Sequence, residues 1–205
     1  MIDLKVYRKL FDKNAIFMAI ISFFSILYAI SISKTTNNID ILMKFEGFTF
    51  LAVIFSIELA KSTVVEDKVS KRLEFMLANG VSKNEIIRSY FVIIFTTLFI
   101  ILLPSLCLIS INLGFAFSLN FILVNAIYVF ILIFKILYTI DMNKINWVQL
   151  RFLFMFIIIL MISMIIYTST YIIELYMISK YLILSLILGF YIKRTDIERI
   201  IVSFY

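Results

Sequence analysis

Residues 89–134 read SYFVIIFTTLFIILLPSLCLISINLGFAFSLNFILVNAIYVFILIF, 46 residues without one formal charge. A helix needs about 20 mostly apolar residues to cross a hydrocarbon core about 30 Å thick. The run is too long for one crossing and about right for two joined by a tight turn. Turn chemistry gathers at Asn112-Leu113-Gly114. The run therefore divides into a span over 89–111 and another over 116–140. Pro104 falls inside the first of these, where it can kink the helix.

Further spans flank this pair. Residues 15–33 carry no charge and are followed by no small-residue cleavage pattern, which predicts a span rather than a signal peptide. A second span is expected over 43–60, with Lys44, Glu46 and Glu58 near its ends reaching the interfaces. The last two are expected over 152–173 and 175–192. Lys180 interrupts the final one and is expected to lie in the outer leaflet and reach outward. Lys135 is expected to snorkel to the nearby interface, and Trp147 to mark the inner one.

Composition points the same way. The chain has 205 residues, 63% of them hydrophobic and 16% charged. A soluble domain is about half apolar and about a quarter charged, so lipid is the fitting solvent. Four glycines and one proline leave few means of building irregular loops, which favours helices on short connections. The single cysteine, Cys107, excludes a disulfide framework within the chain. The absence of histidine removes histidine-based catalysis, zinc-protease motifs and haem ligation by histidine. No catalytic residue or metal site is expected.

The net charge of +6 does not signal nucleic acid, because the basic residues cluster at the ends of apolar runs. With six spans and a cytoplasmic N-terminus, sixteen of the nineteen basic residues fall inside; only Lys34, Lys44 and Lys180 fall outside. Both termini are then cytoplasmic.

Two polar segments remain. Residues 1–14 mix Ile2, Val6, Leu10 and Phe11 with Lys5, Arg8 and Lys9, a pattern for a short interfacial helix or a plain basic tail. Residues 61–90, KSTVVEDKVSKRLEFMLANGVSKNEIIRSY, place Val65, Val69, Leu73, Met76 and Leu77 at helical spacing. Asn79-Gly80 is suited to end that helix in a left-handed cap. Ser82 and Glu85 form a capping-box pattern that starts a new helix near Lys83. Thr195-Asp196-Ile197-Glu198 repeats that pattern near the C-terminus, opening a short helix with Ile200, Ile201 and Phe204.

The 61–88 segment resembles the coupling-helix region of ABC-2 type ABC transporter permeases. That family's pattern is E-x-x-x-x-K-x-x-E-x-L-L-x-x-P/G-[VI]-S-[RK]-x-E-[IL], and this chain offers Glu66, Lys71, Glu74, Met76, Leu77, Gly80, Val81, Ser82, Lys83, Glu85 and Ile86. Asn79-Gly80 makes the turn where proline is usual. The resemblance implies an all-α integral membrane protein forming one transmembrane domain over 1–205. It would have six transmembrane helices, an N-terminal interfacial helix and a cytoplasmic coupling helix between spans two and three. It implies an exporter subunit in the cell membrane that is not itself an enzyme. A separate ATPase subunit would bind ATP and Mg, since no G-x-x-x-x-G-K-[ST] occurs here. Glu66, Lys71, Arg72, Glu74, Phe75, Asn79, Gly80, Val81, Ser82, Lys83 and Glu85 would grip that ATPase. A second permease copy or a homologous permease would complete the particle. A small outer gate would have Glu174 and Lys180 as its charges. A hydrophobic or amphipathic cargo (peptide, drug or lipid) fits the Phe, Tyr, Ile and Met content of the spans. The alternatives are ATP-independent membrane proteins: a peptide immunity protein, a channel or a secondary carrier.

Overall fold

The computed structural model describes residues 16–24, 38–140, 145–197 and 200; nearly all are helical and none is in a strand. In chain order the helices are α1 over 16–24, α2 Asn38–Ala60, α3 Glu66–Val69, α4 Arg72–Ala78, α5 Lys83–Leu113, α6 Phe115–Tyr138, α7 Ile145–Thr170 and α8 Ile173–Arg194. A wider helical turn, Lys61–Val65, makes α2 and α3 continuous.

Among the described residues, five helices are long and apolar enough to cross a membrane: Ile39–Val69, Lys83–Ile111, Phe115–Tyr138, Asn146–Thr170 and Ile173–Arg194. They give the chain the character of a multi-pass helical membrane protein. Of the span expected over 15–33 only 16–24 is described, as helix. Its remainder and the interfacial helix expected over 1–14 lie outside the described residues.

The turn within the long uncharged run falls where its chemistry placed it. Gly114 stands alone between α5 and α6 at φ +95°, a region glycine enters freely. The helices otherwise outrun the apolar pattern. Helix α2 is already formed at Asn38, ahead of 43, and α7 at Ile145, ahead of 152. A helix need not stop where hydrocarbon stops, because polar residues other than glycine and proline continue it at little cost.

Helix α6 is the hub and packs against α2, α5, α7 and α8. Residues 131–137 are buried without a break, as an apolar-all-round helix requires. In the apolar windows of α2 and α6 67% is buried, against 28% and 22% in α7 and α8, so the last two helices form the periphery. Lipid tails give helices no hydrophobic reason to associate, so shape and contact must do it. Aromatic rings supply much of that contact. Phe91 stacks on Phe130 with centroids 3.8 Å apart, and Phe45 meets Phe117 and Phe121 edge-on at 6.2 Å.

The bundle has two ends. The turn end carries Gly114, the start of α2 and the Tyr171-Ile172 link between α7 and α8. The elbow end carries residues 61–82 and the C-terminal ends of α6 and α8. At the elbow end Lys68 closes α6. Its Nζ donates to the carbonyls of Leu137 and Thr139, both at 2.6 Å, and of Ile136 at 3.3 Å. The Ile136 carbonyl also accepts from the Thr139 N–H at 3.1 Å, the Leu137 carbonyl is one the last helical turn leaves open, and a cation suits the negative end of the helix dipole. Lys68→Met should therefore lower stability by about 2–3 kcal/mol in detergent unfolding. Lys61→Met, at an exposed site, should change it by about 0.5 kcal/mol or less.

Candidate functional site

The elbow is built from local chemistry. Helix α4 ends in a Schellman motif: the Gly80 N–H donates to the Leu77 carbonyl at 3.0 Å and the Val81 N–H to the Met76 carbonyl at 3.1 Å. Gly80 has φ +82°. Ser82 then caps α5 in a full capping box, its side chain accepting from the Glu85 N–H while the Glu85 carboxylate accepts from the Ser82 N–H.

One expectation fails here. The apolar spacing from Val65 to Leu77 predicts a single helix, but the chain breaks at Ser70-Lys71, with Lys71 left-handed at φ +59°. Tertiary anchors override the periodicity. Lys68 is drawn to the α6 carbonyls, and Tyr90 of α5 donates to Asp67 Oδ2 at 2.7 Å. With that side fixed, the chain must turn to put Leu73, 1% exposed, into the core. Arg72 pairs with Asp67 at 3.4 Å across the break.

The residues expected to couple to an ATPase do not share one surface. Glu74, Gly80, Val81, Ser82 and Lys83 line one open groove of about 630 Å³, with Ile197 also in its wall. Glu66, Lys71 and Arg72 are exposed around the left-handed turn, outside that groove. Asn79 and Glu85 are exposed, and Phe75 projects from α4 with 69% of its surface free. Lys83 donates to the Thr195 carbonyl at the end of α8. Thr195 Oγ1 donates back to the Tyr191 carbonyl at 2.7 Å, while Glu198 of its expected capping box lies outside the described residues.

A second constellation went unread in the sequence. Lys180 does not reach outward. It is 0% exposed and its Nζ lies 2.5 Å from Glu46 Oε1, itself on a side chain 2% exposed. Tyr176 donates to the same oxygen. Lys180 Nζ also lies 5.3 Å from the Phe45 ring centroid and 5.9 Å from that of Phe156, a cation–π setting. Glu46 likewise turns into the bundle rather than to an interface. The physical reason is depth. Glu46 is eight positions into α2 and Lys180 seven into α8, about 12 and 10.5 Å from the same end at 1.5 Å per residue. Pairing there is cheaper than bending either side chain to water. The available signal was two opposite charges at matching depth in apolar spans. Glu174, expected beside Lys180 as a gate, is exposed. Six helical positions place it about 240° around α8, on another face. Lys135 is buried with its Nζ 5.5 Å from the Phe152 ring, rather than snorkelling.

Among the described residues no cluster of acids or cysteines able to hold a metal occurs. Each elbow device has a measurable cost. Ser82→Ala should cost about 1 kcal/mol through the lost cap. No atom lies within 4 Å of a Cβ added at Gly80 or at Gly189 within α8, so only backbone conformation separates them. Gly80→Ala should destabilise by about 1–2 kcal/mol, and Gly189→Ala stabilise by up to about 1 kcal/mol, in detergent unfolding. No family model matches the chain, and no curated protein or solved structure matches it.

Proposed function

We propose that the chain is the membrane-spanning permease subunit of an ATP-driven exporter of the ABC-2 kind. It moves a hydrophobic or amphipathic cargo, a peptide, drug or lipid, outward across the cell membrane. A separate ATPase subunit binds ATP and Mg and grips the elbow from the cytoplasm. A second copy of the chain, or a homologous permease, completes the path.

The observation that carries this reading is how the elbow is fastened. It continues α2 and α5 through the backbone and reaches α5 again through Asp67–Tyr90 and α6 through Lys68, while Lys83, the first residue of α5, ties that helix to the end of α8 at Thr195. A force applied at α4 is thus delivered to four membrane helices at once. A plain connector between two spans has no need of these ties. An exposed aromatic such as Phe75, next in sequence to the groove residue Glu74, is the kind of side chain that anchors interfaces. Closure of an ATPase pair on ATP would then shift a bistable helix packing.

The buried Glu46–Lys180 pair favours a second reading, an ion-coupled secondary carrier, since charges inside a bundle mark such pathways. Transport that follows an ion gradient with no ATPase present would select it.

The exporter reading predicts that the tagged chain, extracted from its native membrane in detergent, co-purifies an ATP-photolabelled subunit. Phe75→Ala, Glu74→Lys and Glu85→Lys should each reduce that recovery about tenfold or more, with membrane insertion unchanged. Equal recovery across all three substitutions contradicts the docking claim.

A further inference from the structure

Glu46 and Lys180 join the two parts of the bundle that burial separates. Glu46 belongs to α2, in the well-buried centre; Lys180 belongs to α8, in the peripheral hairpin. We propose that this pair, with Tyr176 and Tyr128, is a charged lock that holds α8 against α2 and closes the outer half of the bundle. The proposal assigns the outer gate of the exporter reading; it rests on that reading for what opens the lock, and on geometry for where the lock is. The distribution of basic residues puts the turn end, and so the pair, toward the outside.

Three observations support a lock rather than a permanent girder. First, in a dry low-dielectric setting each charge depends on the other, so parting them is costly until water follows. Second, the closed arrangement is under-satisfied. Glu46 Oε1 takes both Tyr176 and Lys180, while Glu46 Oε2 and the Tyr128 hydroxyl are buried without a hydrogen-bond partner among the described residues. Groups like these gain bonds when water enters, which brings an open hydrated state close in energy to the closed one. Third, the unmet polarity extends to the next helix. Tyr167 and Tyr176 face each other across the α7–α8 link with ring centroids 6.5 Å apart, which sets residue 163 opposite residue 180. Ser163 is fully buried there and its hydroxyl also lacks a partner among the described residues.

Cysteine accessibility tests the lock. Cys107 is the chain's single cysteine, so Cys107→Ser with Ser163→Cys leaves one reporter at the level of the pair. Intact cells receive a membrane-impermeant maleimide from outside. With Glu46 and Lys180 in place the reporter should label slowly. Glu46→Lys or Lys180→Glu alone should raise the rate about tenfold or more, because like charges cannot share the site. The exchange carrying both substitutions should return to within about twofold of the parent rate. Single reversals as protected as the parent, or an exchange as reactive as the singles, overturn the lock. If a single reversal does not reach the membrane, the exchange decides alone: inserted and protected supports the lock, while failure to insert overturns it. No ATPase is needed for labelling. Labelling that follows the charges while no ATPase co-purifies keeps the lock and sinks the exporter; the opposite pair of results does the reverse.

Discussion

A hydrocarbon interior offers no water to a polar group that misses its partner, and that constraint organises the molecule. Helices meet it for the backbone, which is why the described chain is almost entirely helical. What helices leave over must be met by side chains. The open carbonyls at the end of α6 are closed by Lys68, and the two charges carried into the spans by α2 and α8 are closed by each other. Both solutions join segments distant in sequence. The polar residues of this apolar chain therefore do much of the work of deciding which helix lies beside which.

The same economy links the elbow to function. Outside the spans, the turn after α4 is made by inexpensive local devices: a Schellman turn at Gly80 and a capping box at Ser82. These shape the elbow without help from a partner. The long-range ties from Asp67, Lys68 and Lys83 then connect that shaped element to the spans. An ordered surface element, mechanically coupled to several helices and presenting Phe75, suits a protein moved from outside itself. The lock between Glu46 and Lys180 lies toward the opposite end. In the proposed exporter the elbow would drive and this closure would yield at the far side, the two parts alternating access requires.

Features encoded by neighbouring residues were legible in the sequence. The uncharged run over 89–134 announced two spans, Gly114 their turn, Gly80 a helix end and Ser82–Glu85 a helix start. Features set by tertiary contact were not. The break at Lys71 contradicts an apolar spacing that is otherwise helical, and only the pull of the α6 carbonyls and Tyr90 explains it. Glu46 and Lys180 each read singly as a charge that should escape to an interface. Their pairing depends on α2 and α8 lying together, through α6, which no local pattern states. Helices run beyond the apolar runs where polar residues without glycine or proline continue them, as at Asn38 and Ile145.

The proposed exporter requires the elbow to lie on the cytoplasmic face and to be covered there by a motor subunit. Its side and its cover can be read together by placing the only cysteine of the chain on the exposed groove wall, Ala78→Cys with Cys107→Ser, and labelling with an impermeant thiol reagent. The account predicts reaction in inside-out vesicles stripped of peripheral proteins, protection in unstripped ones, and none in intact cells. Labelling of intact cells, or equal labelling of stripped and unstripped vesicles, contradicts it.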